Sequence, residues 1–313
     1  MNLLITRRLP ARVITAAKTR FDVTYRDDTT PLSAADLRQA LRDYDAILPT
    51  LGDLFRADVF ADVPQPRARI LANFGVGTNH IDSAAARAAG LHVTNTPGAV
   101  TDATADIALT LILMTARRAG EGERLVRSGA WQGWHPTQML GTHVTGKSVG
   151  IVGFGRIGQA IARRCHHGFG MEIRFHNRSA IQHDFARQST LTETLQADFV
   201  ILAVPATPAT RHLINAQTLS LMHPTTILIN IARGDVIDEA ALLTALQTRQ
   251  IAGAGLDVYE HEPHIPAALT ALQNVTLLPH LGTAALEIRE AMGMMAVANL
   301  TAFQDGKPLP NPV

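Results

Sequence analysis

The chain has 313 residues, 46% of them hydrophobic, and its 28 Lys and Arg against 27 Asp and Glu leave a formal net charge of +1. A chain of that length exceeds what one core usually holds, so two domains are expected. With no basic face to gather a polyanion, and no run of the roughly 18 apolar residues that cross a membrane, neither nucleic acid nor bilayer is an expected partner.

Short apolar runs alternate with helical stretches, the pattern of βαβ units on a parallel sheet. A strand is expected at residues 3–6, a helix at 34–42, and buried strands at 46–48 and 70–73. The last of these runs into the turn Phe74-Gly75-Val76-Gly77. An Ala-rich helix over 83–89 meets Gly90, which suits a left-handed cap, and a strand follows at 92–94. Thr101 or Asp102 can cap a long helix reaching about Arg118. Residues 128–146 read as irregular and carry the chain's two tryptophans, Trp131 and Trp134. A second alternating series opens at Ser148, with strands expected at 148–152, 172–175, 199–202, 226–230, 252–256 and 275–278, and a closing helix over about 284–303. The single cysteine, Cys165, excludes an intrachain disulfide. The N-terminal apolar run is too short for a signal peptide, so a cytoplasmic location is expected.

The sharpest local signal is Gly153-Phe154-Gly155-Arg156-Ile157-Gly158, placed after the apolar run 149–152 and opening a helix over 156–164. That context is what a dinucleotide fingerprint requires. Gly153 permits the tight turn, Gly155 lets a pyrophosphate approach the backbone, and Gly158 lets helix and strand pack closely. The helix N-terminus offers N–H groups and partial positive charge to phosphate. About 20 residues further on, an acidic residue would hold the ribose 2′-hydroxyl in an NAD site. Here Asn177 stands in its place, followed by Arg178 and Ser179. An arginine fork and a hydroxyl suit a 2′-phosphate, so NADP is the preferred cofactor, with NAD possible.

Three polar residues follow apolar segments where open α/β sheets place their ligands: Arg233, Glu262 and His280. Reduction of a keto acid needs such a set, because the carboxylate must be held, the carbonyl polarised and a proton delivered to its oxygen. Glu260, His261, Glu262 and His264 match no zinc spacing, and Pro263 interrupts them, so no metal is expected.

The segments Asn230-Ile231-Ala232-Arg233-Gly234-Asp235, Leu256-Asp257-Val258 through Glu262-Pro263, and Leu278-Pro279-His280-Leu281-Gly282 resemble the D-isomer-specific 2-hydroxyacid dehydrogenase family. The likeness spans nearly the whole chain, and residues 131–140 with Asn177-Arg178-Ser179 look most like its glyoxylate/hydroxypyruvate reductases. The resemblance implies an α/β fold of two Rossmann-like or flavodoxin-like domains with parallel sheets and an active site in the cleft between them. The substrate domain would comprise residues 1–98 plus 284–313, and the dinucleotide-binding domain 99–283. It gives Arg233 the substrate clamp, His280 the acid/base and Glu262 the carboxylate partner, which favours the imidazolium, so reduction should slow as pH rises.

By the same resemblance Leu51, Gly52, Gly75, Val76 and Gly77 face substrate. Val76, Thr104, Val204, Pro205, Thr210, Ile231, Ala232, Asp257, His280 and Gly282 line the cofactor, Asp257 by accepting from the nicotinamide amide. Trp134 reaches toward a neighbouring subunit, or simply packs at an interface, which implies a homodimer formed through the cofactor domain. The implied activity is NADPH-preferring reduction of small 2-keto acids to D-2-hydroxy acids. The alternatives are an NAD-dependent relative for a larger keto acid and a non-catalytic NAD(P)-sensing protein on the same fold.

Overall fold

The structure is a computed structural model that describes all 313 residues, Met1–Val313, and the chain divides into two compact units. The first comprises Met1–Val100 with Thr283–Val313, the second Thr101–Gly282.

The first unit is built on a parallel sheet of strands β1 (Asn2–Ile5), β2 (Asp22–Tyr25), β3 (Ala46–Leu48), β4 (Ile70–Ala72) and β5 (His92–Thr94), in the order β2-β1-β3-β4-β5. That is the flavodoxin-like order. Leu3, Ile5, Ile47, Leu48, Ile70 and Leu71 are fully buried, because helices cover both faces, and so these strands read as continuous apolar runs. Ser33 and Asp36 form a capping box on the helix Ala34–Asp43, and Gly90 adopts φ 82° just past the helix Ser83–Ala88. The closing helix, Leu286–Gln304, belongs to this unit and packs on Ala11–Lys18. Three elements here were not expected from the sequence: the helix Ala11–Lys18, the edge strand β2 and the helix Ala57–Ala61. The strand is four residues long and buries none of them, while the first helix buries Val13, Ile14 and Ala17 and the other Val59 and Phe60, each too short for its period to stand out.

The second unit holds seven parallel strands, β6 (Ser148–Val152), β7 (Glu172–His176), β8 (Ala186–Gln188), β9 (Phe199–Leu202), β10 (Ile227–Asn230), β11 (Gly253–Leu256) and β12 (Val275–Leu277), in the order β12-β11-β10-β9-β6-β7-β8. From β6 the chain winds first one way and then the other, so the sheet reverses between β6 and β9, the switch point where doubly wound sheets bind ligands. The long helix expected to reach Arg118 stops earlier. It spans Thr101–Ala116, Arg118 takes a left-handed φ of 54°, and a separate helix Ala119–Arg127 follows. That second helix buries no residue. Residues 130–147 form neither helix nor strand. The helix Arg156–Phe169 runs beyond Arg164, and Gly170 closes it in the left-handed conformation. Cys165 is buried in it, and burial pushes its thiol up to about 12, so it is inert at neutral pH. No helix is long and apolar enough to cross a membrane.

Candidate active site

At the end of β6 the backbone turns at Gly153, where φ is 97° and a Cβ would lie 2.6 Å from the Ala203 carbonyl oxygen. A Cβ on Gly158 would lie 2.2 Å from the Gly153 carbonyl. No larger residue fits either place. Gly155, at the start of the helix Arg156–Phe169, is exposed, and a Cβ there would meet nothing within 4 Å. No side chain caps that helix, and no backbone acceptor meets the N–H groups of its first turn. The N–H groups of Arg156, Ile157 and Gly158 therefore point out unpaired, which fits a pyrophosphate. Phe154 contributes backbone only. Its ring is wholly buried and stacks on Phe175 at 3.8 Å.

Beyond β7, Asn177 Oδ1 accepts from the Phe154 N–H at 3.3 Å and Asn177 Nδ2 donates to the Ser179 carbonyl at 3.1 Å. Arg178 and Ser179 are exposed beside it, and no carboxylate pairs with Arg178. After β9, Val204 is half-buried and Pro205 exposed. Thr210 Oγ1 donates to the Pro205 carbonyl at 2.7 Å and accepts from the Thr207 N–H at 2.8 Å, which fixes that turn. Thr104 Oγ1 donates to the Gly282 carbonyl at 3.3 Å.

Arg233, Glu262 and His280 lie just beyond the C-terminal ends of β10, β11 and β12. Buried Asn230 shapes the first loop, accepting from the Ala232 N–H at 3.0 Å and donating to the Arg233 carbonyl at 2.9 Å, with Ile231 and Ala232 buried between. A Cβ on Gly234 would lie 1.8 Å from the Tyr259 carbonyl carbon, so only glycine lets the first loop press against the second. That contact sets Arg233 within the electrostatic reach of Glu262. The Arg233 guanidinium also donates to its neighbour's carbonyl, Ala232 O, at 2.7 Å. Burial lowers its pKa against the opposing charges of Glu262 and Asp235, yet a guanidinium remains charged at working pH.

Glu262 uses both oxygens. Oε1 accepts from the Tyr259 N–H at 3.1 Å, and Oε2 meets His280 Nδ1 at 2.8 Å. Burial resists its ionisation, but the hydrogen bond and charge of His280, the Tyr259 N–H and the Arg233 charge outweigh that and hold its carboxyl below the ordinary glutamate value. His280 itself sits at φ 56°, a left-handed conformation that costs a β-carbon-bearing residue about 1 kcal/mol or more. Its surroundings hold it there. Its N–H donates to the Asp257 carbonyl at 2.9 Å, and the Asp257 carboxylate accepts from Leu281 N–H at 2.6 Å and Gly282 N–H at 2.8 Å. Tyr259 Oη donates to the Leu278 carbonyl at 2.9 Å from the other side. Asp257 is 1% exposed, and burial raises its pKa despite those two N–H groups and His280. What it visibly does is fix the turn that carries His280. With Nδ1 committed to Glu262, the other ring nitrogen, Nε2, is free to exchange a proton.

In the first unit, the turn Gly75-Val76-Gly77 is held from beneath. Asn73, 1% exposed, donates from Nδ2 to the carbonyls of Gly75 and Gly77, each at 3.0 Å, and its Oδ1 meets His80 Nε2 at 2.9 Å. Asn95 Nδ2 takes the Val76 carbonyl at 2.8 Å. With the carbonyls pinned, the N–H groups of Val76 and Gly77 have no acceptor in the chain and form a nest suited to a carboxylate. Leu51 and Gly52 occupy the turn after β3, tied down by the buried Asp53 carboxylate, which accepts from Thr6 Oγ1 at 2.6 Å and Thr50 N–H at 2.9 Å. The Arg7 guanidinium lies across Gly52. Trp131 and Trp134 are exposed, the latter 80%.

Sequence reasoning missed the residues that support these turns: Asn73 in the first unit, and Asn230, Tyr259 and the turn-holding part of Asp257 in the second. Only Asn73, two residues before Gly75-Val76-Gly77, carried a local signal. A cavity of about 610 Å³ in the second unit takes in Ile227, Gly253 and Val275, the first residues of β10, β11 and β12. It lies at the opposite strand ends from this site. No group of three or more His, Cys, Asp or Glu side chains is arranged to hold a metal.

Comparison with known proteins shows the family. Residues 109–282 match the model of the D-isomer specific 2-hydroxyacid dehydrogenase, NAD binding domain. A glyoxylate reductase of Thermococcus onnurineus is 44% identical over 99% of this chain and 94% of its own, and one of Thermococcus kodakarensis 45% identical over 99% and 95%. Among solved structures, an NADPH-dependent glyoxylate/hydroxypyruvate reductase of Sinorhizobium meliloti, determined with NADP and malonate, is similar with a TM-score of 0.89 at 36% identity, covering 100% of this chain and 96% of that one. The chain thus belongs to the D-isomer-specific 2-hydroxyacid dehydrogenases, NAD(P)-linked oxidoreductases acting on CH–OH groups.

Proposed function

We propose that this protein reduces glyoxylate and hydroxypyruvate to the corresponding D-2-hydroxy acids with NADPH as preferred donor. The observation that carries the reading is the Glu262–His280 pair, 2.8 Å apart, with Arg233 in its field. A bound nicotinamide cofactor would supply the hydride. The residues supply the rest. His280 delivers a proton from Nε2 to the carbonyl oxygen as the carbon is reduced, and the Glu262 carboxylate steadies the imidazolium before that transfer and orients the ring. Arg233 pairs with the keto-acid oxygens and stabilises the charge that builds on them. The Val76 and Gly77 N–H groups take the carboxylate. Named relatives that reduce glyoxylate support the substrate class.

For the cofactor, the support is the absent carboxylate at Asn177, the exposed and unpaired Arg178, and the similar Sinorhizobium meliloti reductase, which is NADPH-dependent. A homodimer through the second unit is part of the same reading. Trp131, Trp134, Leu140 and Val126 are exposed large apolar side chains within residues 126–140, and a partner copy would cover them. The decisive experiment assays glyoxylate and hydroxypyruvate with NADPH and NADH in the intact protein and in His280→Ala. Turnover lost in the variant while NADPH affinity is kept supports the assignment. Near-normal turnover in the variant removes His280 from the mechanism, and saturable NADPH binding without turnover on any small keto acid would make the protein a cofactor sensor.

A further inference from the structure

The loop that follows β7 is held by a side chain outside every motif. Gln188, the last residue of β8, donates from Nε2 to the carbonyls of Asn177 at 3.0 Å and Ser179 at 3.1 Å, and its Oε1 accepts from the Ile181 N–H at 2.8 Å. The whole amide is thus spent on one turn. Asn177 completes the clamp. Its Nδ2 shares the Ser179 carbonyl, and its Oδ1 ties the turn to the N–H of Phe154 in the fingerprint. Arg178 is the residue between the two clamped carbonyls. Gln188 is itself rigid, since β8 pairs with β7 in register, with Gln188 opposite Phe175, and the adjoining Ser189 N–H donates to the Phe175 carbonyl at 2.9 Å. A sheet edge therefore fixes the backbone from which the Arg178 side chain departs.

We infer that Gln188 is a positioning residue for cofactor selection, which aims Arg178 at the 2′-phosphate by fixing the 177–181 turn. The inference rests on the reading of Arg178 as the 2′-phosphate contact and extends it to a residue that touches no cofactor. It has a corollary for Asn177. Aspartate there has no donor for the Ser179 carbonyl and sets a negative charge against it, so Asn177→Asp disturbs the turn as well as adding charge.

The test uses the full chain with 2′,5′-ADP and 5′-AMP as probes, titrated calorimetrically, alongside kcat/KM with NADPH and NADH and a melting temperature for each variant. Gln188→Leu removes the clamp, and Gln188→Glu keeps an acceptor for Ile181 while losing both donors. Arg178→Ala and the double variant Arg178→Ala/Gln188→Leu complete a cycle. Both Gln188 variants are expected to weaken 2′,5′-ADP about tenfold and 5′-AMP less than about twofold, with no further loss of 2′,5′-ADP from Gln188→Leu once Arg178 is gone. Equal weakening of both probes, no weakening, or full additivity in the cycle overturns the inference while leaving Arg178 in place. Arg178→Ala with unchanged 2′,5′-ADP binding overturns the NADP reading itself, and the inference with it. Should Gln188→Leu not fold, Gln188→Glu alone and combined with Arg178→Ala gives the same comparison.

Discussion

Replacing Glu262 by glutamine removes one charge and little else, and the structure fixes what that does. Both carboxylate oxygens are committed, one to the Tyr259 N–H and one to His280 Nδ1. Glutamine has a single oxygen for the two donors. If it serves Tyr259, its NH2 group faces Nδ1 and the imidazolium loses its acceptor. A charge-assisted hydrogen bond is worth about 1.5–3 kcal/mol, or roughly ten- to a hundredfold in rate. The two side chains are 30% and 32% exposed, so solvent screening puts the loss near the lower end, about tenfold. The assay is consumption of reduced nicotinamide with saturating glyoxylate. Expected are a kcat down about tenfold and little change in the KM for the cofactor. A glutamine variant with kcat within about twofold of the parent would refute the role given to Glu262.

Asn73→Ala frees the carbonyls of Gly75 and Gly77 and should raise the glyoxylate KM about tenfold with smaller change in cofactor binding; an unchanged KM would detach the Val76–Gly77 nest from substrate. Gly158→Ala places a methyl group 2.2 Å from the Gly153 carbonyl and should cost about 1–3 kcal/mol in stability together with dinucleotide affinity, read by thermal melting and NADPH titration. The pKa of Glu262 is lowered in the folded protein, so its contribution to stability is complete above the unfolded value and is lost as pH falls through the lowered folded one. Denaturant titrations of the parent and Glu262→Gln should therefore converge only at pH below the ordinary carboxylate range.

The central strands of both sheets, the fingerprint turn and the order Arg233, Glu262, His280 were all legible in the sequence, because each is written in contiguous residues. A strand covered on both faces is a run of apolar side chains, and a pyrophosphate turn is a spacing of glycines. What has no local period was not legible. The strand β2 and the helix Ala119–Arg127 bury no residue, and each is too short and too polar for a core-facing run to mark it. The supports of the site were likewise hidden. Gln188 reaches Asn177 across 11 positions, Asp257 reaches Gly282 across 25, and Asn73, though it stands beside a glycine turn, meets His80 and two carbonyls only in the folded chain. Sequence alone determined the chemical groups this protein carries and the strand ends that carry them. Tertiary structure decided how those groups are held, since a hydrogen bond between distant positions exists only once the sheet has set their separation.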